Sequence, residues 1–182
     1  MNATAAIFTT LGTINSLIGR VGVFVGSLFI AIMTILVILG VFFRYVLNNS
    51  LGWVEDVSLI MMVTTAFLVA PFAYRSGANV AIEFLSGMLQ GRMVRIMRII
   101  INLLVLWLIY RYFLESLGLV KRGWGIRVNT VPIPWAIPYM VVPFSFVAMA
   151  LVGFELIMRD LWGLMSGSDK ADLPHVAPQE PE

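Results

Sequence analysis

The sequence predicts an all-α integral membrane protein, a bundle of four transmembrane helices with one or two short interfacial helices. The chain is 60% hydrophobic and 12% charged, whereas soluble domains are about half apolar and a quarter charged. Its mean hydropathy is +0.94. Four apolar runs have the length of a transmembrane helix, which needs about 17–25 residues to cross a membrane core of about 30 Å. The predicted spans are 21–43, 57–74, 96–120 and 135–158.

The composition also excludes several kinds of site. The chain has no cysteine and one histidine, His175, in a Pro-rich tail, which excludes disulfides, thiolate metal sites and a haem held by paired histidines. We find no phosphate-binding Gly-rich loop, metal-ligand cluster or nucleophile–base pair. We therefore predict no enzyme activity, no cofactor and no metal. The net charge is +2, with 12 lysine and arginine residues. We interpret these basic residues as topology markers, and not as a nucleic-acid surface.

Residues 1–20 are predicted to form an N-terminal interfacial segment. Between Thr4 and Ile18, apolar residues alternate with uncharged polar ones at helical spacing, as in a helix that lies on a membrane. A frayed N-terminus is the alternative. The absence of basic residues before Arg20 argues against a secretory signal peptide. In the first span, Gly22 and Gly26 form a small-xxx-small pair that would admit a close neighbouring helix.

The connection between the first two spans is short, polar and anchored by Trp53. Glu55 and Asp56 fall at the start of the second span, where the helix dipole favours negative charge. Arg44 follows the first span. A structural interpretation is that Arg44 pairs with one of these carboxylates and so fixes the connection.

After the second span the chain breaks, and residues 80–90 are predicted to form a second interfacial helix. Arg92, Arg95 and Arg98 then recur three residues apart at the start of the third span. They are the strongest topology signal in the chain.

Two ionisable residues, Arg111 and Glu115, interrupt the third span. An ionisable residue inside a span first suggests a functional site. A pair at i,i+4 near an interface can also have a purely structural role. The alternatives are a structural ion pair, within this subunit or to a partner, and an ion or proton pathway.

The fourth span contains Pro138 and Pro143 in its early half. Carbonyl groups left unpaired by proline need neighbouring protein in a membrane, so we predict that this half is packed and not lipid-facing. Glu155 and Arg159 form an i,i+4 pair near its end. Residues 163–182 have the composition of a disordered tail.

Four spans place both termini on one side of the membrane, and the positive-inside rule favours the cytoplasm for that side. Seven basic residues lie on the terminal side and five on the other: Arg20, Arg75, Arg92, Arg95, Arg98, Arg159 and Lys170 against Arg44, Arg111, Lys121, Arg122 and Arg127.

Three blocks of sequence carry a family resemblance. They are Phe43-Arg-Tyr-Val-Leu-Asn-Asn followed by Trp53-Val-Glu-Asp; Arg75-Ser-Gly-Ala-Asn-Val-Ala-Ile-Glu; and Pro134-Trp135 with Tyr139 and Pro143. In this order, over roughly residues 20–160, they resemble the small permease subunit (DctQ type) of tripartite ATP-independent periplasmic (TRAP) transporters. Asn79 and Glu83 depart from the family pattern, which often has His and Asp there.

The resemblance implies a four-span scaffold in the bacterial inner membrane with cytoplasmic termini, surrounded by phospholipid. Its implied partners are a large membrane subunit with the substrate and sodium sites, and a periplasmic solute-binding protein. Together they resemble a sodium-coupled importer of organic acids that uses no ATP.

The candidate site residues form three groups. The candidates for partner binding on the periplasmic side are Arg44, Tyr45, Asn48, Trp53, Glu55, Asp56, Lys121, Arg122 and Arg127. Those for contact with the large subunit are Arg111, Glu115, Pro138 and Pro143, and those that shape the cytoplasmic turn are Arg75, Gly77, Asn79 and Glu83.

A different class of function stays open, namely a stand-alone channel or carrier formed by homo-oligomerisation, with Arg111 and Glu115 lining a pore. A membrane anchor for a redox enzyme is disfavoured because the chain lacks cofactor ligands.

Overall fold

The computed structural model describes residues 2–77 and 92–166. Four helical stretches in these ranges are long and apolar enough to cross a membrane, which confirms the predicted all-α, four-span fold. The predicted interfacial helix at 80–90, together with Asn79 and Glu83, lies outside the described residues. The helices are α1 (Asn2–Tyr45), α2 (Gly52–Arg75), α3 (Arg92–Gly123), α4 (Ala136–Tyr139) and α5 (Val141–Ser166).

Helix α1 is one continuous helix of 44 residues, about 66 Å long at 1.5 Å per residue. The structure thus differs from the predicted boundary at residue 20, because the helix has no break there. The first proline of the chain is Pro71, so no proline interrupts the backbone hydrogen bonds of α1. Gly12 and Gly19 already lie against other helices, so the bundle begins earlier than the sequence predicted.

Glycines bring α1 unusually close to α2. A Cβ atom added at Gly22 would lie 2.3 Å from the carbonyl oxygen of Leu68, and one at Gly26 would lie 2.9 Å from Cγ2 of Val69. Both distances are shorter than van der Waals contact. The close neighbour of the Gly22–Gly26 pair is therefore α2.

The helices follow one another across the bundle. Helix α1 packs along α2, α2 along α5, and α5 along α3, while α1 meets α5 only over a short stretch. Helices α1 and α3 are therefore the outer helices of the arrangement. We call the end with residues 46–51 and 124–135 the connection end, and the opposite end the terminal end.

Helices α4 and α5 together form the fourth span, with a turn at Met140 between them. Ala136 is fully buried and packs against Gly123. A Cβ atom added at Gly123 would lie 2.7 Å from the Ala136 nitrogen. Pro138 and Pro143 are half-buried, whereas Phe144 is 75% exposed. The early half of this span is thus packed on one side only.

The fourth span also extends beyond its predicted end. Helix α5 continues to Ser166, past the start of the predicted tail at residue 163. Gly163 lies against Arg95 of α3, which holds this last turn to the bundle. The rest of the predicted tail lies outside the described residues.

Candidate partner-binding sites

A buried carboxylate joins three helices at the terminal end. Glu155 of α5 is 0% exposed. Arg75 donates from Nε to Glu155 Oε2 at 3.3 Å and from Nη2 to Oε1 at 3.2 Å. Arg159 donates from Nε to Oε1 at 3.0 Å, and Asn15 Nδ2 donates to Oε2 at 2.6 Å. We call these four residues the Glu155 cluster.

The backbone supplies further partners for the cluster. Arg75 Nη2 donates to the carbonyl oxygen of Gly12 at 3.2 Å, and Asn15 Nδ2 donates to that of Leu151 at 3.3 Å. Gly12 has no room for a side chain, since a Cβ there would lie 3.0 Å from Nη2 of Arg159. A buried charge needs such pairing because an unpaired one is very costly. The cluster therefore fixes α1, α2 and α5 to one another.

Sequence reasoning found only part of this cluster. It predicted the i,i+4 pair of Glu155 and Arg159, which is confirmed. It assigned Arg75 to the turn after the second span; the turn is present, with Gly77 at φ +66°, a conformation that favours glycine. The contact of Arg75 with Glu155 and the role of Asn15 were missed. Each of these residues is a polar residue on an otherwise apolar side of a helix. That pattern indicates a side chain that needs a partner within the protein.

Two further hydrogen bonds join neighbouring spans. The Tyr74 hydroxyl donates to Asn102 Oδ1 at 2.8 Å, which joins α2 to α3. The Ser145 hydroxyl donates to the carbonyl oxygen of Phe67 at 2.6 Å, which joins α5 to α2. These polar contacts orient the spans where hydrophobic packing alone gives little specificity.

At the connection end, Arg44 forms an ion pair with Glu55. This confirms that Arg44 pairs with one of the two carboxylates at the start of the second span. Thr130 donates two hydrogen bonds to Oδ2 of Asp56, one from its backbone nitrogen at 3.2 Å and one from its hydroxyl at 2.6 Å. No sequence pattern indicates this role of Thr130, because the contact joins residues 74 positions apart.

The connection 124–135 folds back on itself. Val128 N donates to the carbonyl oxygen of Ile133 at 3.0 Å, and Trp135 N donates to that of Ile126, also at 3.0 Å. The Trp135 ring stacks on that of Tyr139 with centroids 5.5 Å apart. The connection end is therefore an ordered surface.

Most of the predicted periplasmic candidates are exposed on this surface. Tyr45 is 75% exposed, and Asn48 has a left-handed φ of 50° in the first connection. Asp56 is half-buried. The other exposed candidates are Arg44, Trp53, Glu55, Lys121, Arg122 and Arg127.

Arg111 and Glu115 do not form the pair that their spacing permits. Both side chains are exposed on α3, and the structure records no ion pair for either within residues 2–77 and 92–166. Within the part of the chain that the structure describes, the predicted ion pair of Arg111 with Glu115 is therefore absent, and the alternatives of a pair with a partner and of an ion or proton pathway stay predictions. Within the same ranges, no group of three or more metal-ligating side chains comes together.

Comparison with known families decides the class of this four-span bundle. The family model of the DctQ component of the tripartite ATP-independent periplasmic transporters matches residues 33–163. The chain belongs to the DctQ family. The match includes Arg75, Glu155 and Arg159 of the Glu155 cluster, whereas Gly12 and Asn15 precede it.

A curated relative supports this DctQ assignment. The chain is 25% identical over 122 residues to the isethionate TRAP transporter permease protein DctMQ of Oleidesulfovibrio alaskensis. The aligned region is 66% of this chain and 19% of the relative, so this DctQ chain spans about a fifth of that protein. No solved structure matches the chain.

Proposed function

We propose that this DctQ chain is the small membrane subunit of a TRAP-type secondary transporter. In this role it braces a large membrane subunit in the bilayer and offers part of the docking surface for a solute-binding protein. The observation that carries the proposal is the DctQ match over residues 33–163. That range contains the second and third spans, the fourth span as far as residue 163, both connections of the connection end and most of the Glu155 cluster.

The length of the relative supports a large partner subunit. About four fifths of the DctMQ permease protein lies outside the region that this chain matches. We propose that a separate large subunit supplies the corresponding part here. The transported solute is then an organic acid or a related solute, taken up together with sodium; the name of the relative, an isethionate permease, is compatible with this class.

The proposed orientation follows from the basic residues. We place the chain in the bacterial inner membrane with both termini in the cytoplasm, since the terminal side has the larger number of basic residues. The connection end then faces the periplasm and the binding protein. Lys121, Arg122 and Arg127 are exposed there, and cations at the rim of an interface mainly increase the association rate.

Co-purification tests the proposed role. We expect an affinity-tagged chain, expressed with the large hydrophobic protein encoded beside it, to retain that protein through detergent extraction and size exclusion. An unrelated tagged four-span protein, expressed with the same neighbour, is the control. Recovery of this chain alone, as a stable monomer, would contradict the proposal.

A flux measurement separates the scaffold from a stand-alone channel or carrier. The purified chain alone is reconstituted into liposomes, and sodium and organic-acid fluxes are measured. We expect no flux above that of empty liposomes. Flux through the chain alone would favour the homo-oligomeric alternative.

A further inference from the structure

Helix α3 packs against the bundle through one side only. Asn102, Ile109 and Ser116 are buried, and Leu106 contacts Gly153 of α5. Successive residues of an α-helix are about 100° apart, so this packed side is centred nearly opposite Arg111. The other side of α3 has no neighbour among the described residues that would cover Arg111.

A continuous stripe follows this uncovered side, and we call it the α3 outer face. Its apolar part is exposed, with Trp107 at 62%. A Cβ added at Gly118 would meet only Nη2 of Arg122, at 3.9 Å, so the stripe has open space at a backbone position. The α3 outer face consists of Ile100, Leu104, Trp107, Arg111, Glu115 and Gly118.

Arg111 of this face lies well inside the third span, and Glu115 lies one turn nearer the connection end. The third span extends from Arg95 to Gly123. At 1.5 Å per residue, Arg111 is about 24 Å from the first and about 18 Å from the second, and Glu115 is one turn nearer Gly123. Charged residues at such depths normally face protein or a water-filled cavity and are paired, and these two have no ion pair in the described part of the chain.

We infer that the α3 outer face binds one transmembrane helix of the large subunit, which carries an acidic residue at the depth of Arg111 and a basic residue at the depth of Glu115. This inference rests on the proposed function. The open space at Gly118 lets the two backbones approach closely, as small residues do between membrane helices. Two charge pairs at fixed depths set the vertical register of the two subunits.

A second copy of this chain fits the face less well. Two copies inserted in the same orientation and related by a two-fold axis along the membrane normal bring equal depths together. Arg111 then faces Arg111 of the other copy, and Glu115 faces Glu115. Like charges at close range oppose such a pairing, whereas a helix with the opposite charges satisfies both residues.

Photo-crosslinking tests the position of this contact. The chain has no cysteine, so Leu104→Cys and Gly118→Cys each carry a single label of benzophenone maleimide. We expect both to crosslink to the co-expressed large subunit. Ile38→Cys, which is 62% exposed on the outer side of α1 before substitution, is the matched control and should give at least about tenfold less product.

An exchange of charges tests the chemistry. The double variant Arg111→Glu/Glu115→Arg keeps the composition and hydropathy of the span but reverses the order of the charges. We expect it to lower the recovery of the large subunit at least about tenfold, since like charges then meet at both depths. Arg20→Glu, at an exposed arginine of α1, should leave the recovery unchanged.

The outcomes separate this inference from the proposed function. If the unaltered chain retains the large subunit but only Ile38→Cys crosslinks, the inference is wrong and the proposed function stands. Crosslinks between two copies of this chain, or to lipid alone, would also overturn it, as would full recovery with the exchange variant. If the unaltered chain retains no large subunit at all, the proposed function itself fails.

Discussion

The two outer helices of the bundle, α1 and α3, differ in the side that they turn away from it. From Val21 to Phe43, α1 has no charged residue, and its outer side carries exposed aliphatic and aromatic residues such as Phe24 and Ile38. The outer side of α3 carries Arg111 and Glu115 at the depth of the membrane. The first surface suits lipid, whereas the second requires a polar neighbour.

The same two helices also attach to the bundle by different means. Glycines let α1 lie directly on the backbone of α2, and Asn15 fixes it to the Glu155 cluster. Helix α3 packs mainly on α5 and reaches α2 through Asn102. Helix α1 is thus attached to the bundle on its inner side and carries no charge from Val21 to Phe43, whereas α3 exposes two charges that have no ion pair among the described residues.

We expect the strongest destabilisation from Glu155→Gln, which takes the charge away from the cluster that holds α1. Two guanidinium groups then lose their shared carboxylate, at a cost of about 3–5 kcal/mol, typical of a broken buried ion pair. Glu115→Gln is the matched control on α3, because it is the same substitution at an exposed carboxylate that has no ion pair among the described residues. Thermal unfolding of each purified variant in detergent measures the difference, and equal midpoints would contradict the role of the cluster.

A smaller loss of stability is expected from Gly22→Ala, which tests the contact of α1 with α2. The new methyl group would lie 2.3 Å from a backbone oxygen, so the helices must move apart, at a cost of about 1–3 kcal/mol. Gly118→Ala on α3 meets open space and should instead stabilise the isolated chain by about 0.5–1 kcal/mol, because alanine favours a helix over glycine. The two midpoints should thus move in opposite directions; an unchanged or raised midpoint for Gly22→Ala would show that the α1 contact is not tight.

Tyr74→Phe tests the polar link of α3 to α2 and should cost about 1 kcal/mol, the usual net contribution of a hydrogen bond. It removes the hydroxyl that bonds Asn102, which is 5% exposed. Tyr110→Phe, on the exposed side of α3, is the control and should not change the unfolding midpoint. Hydrogen exchange of the α3 backbone should increase only in the first variant. An equal response of both would mean that the bond does not hold α3.

The smallest effect on stability is expected from Glu55→Gln at the connection end, because both side chains of the Arg44–Glu55 pair are exposed. Exposed ion pairs contribute about 0–1 kcal/mol and weaken with salt. Asp56→Asn should cost more, because its carboxylate holds Thr130 of the other connection. Unfolding midpoints at low and high salt separate the two; a large salt-dependent loss for Glu55→Gln would contradict this ranking.

Local pattern was enough to predict much of this molecule. Hydropathy predicted four spans, and short-range spacing predicted the pair Glu155–Arg159. The charges beside the first connection predicted a pair of Arg44 with Glu55 or Asp56, and the structure has the pair with Glu55. The contacts of Glu155 with Arg75 and Asn15 join residues 80 and 140 positions apart, and no periodic signal connects such positions. The continuity of α1 was missed for a related reason: Asn15 near its start bonds to Glu155 of α5, a contact that the sequence of that segment does not reveal.

The Glu155 cluster also has a consequence for biosynthesis. Its acceptor is translated 80 residues after Arg75, which at ribosomal speeds of 5–20 residues per second is roughly 4–16 s later. During that interval the first helical hairpin has a guanidinium and an amide that await their acceptor. The N-terminal half of the bundle therefore reaches its final packing only when the last helix enters the membrane, and a chain truncated before α5 is expected to expose both groups to quality-control proteases.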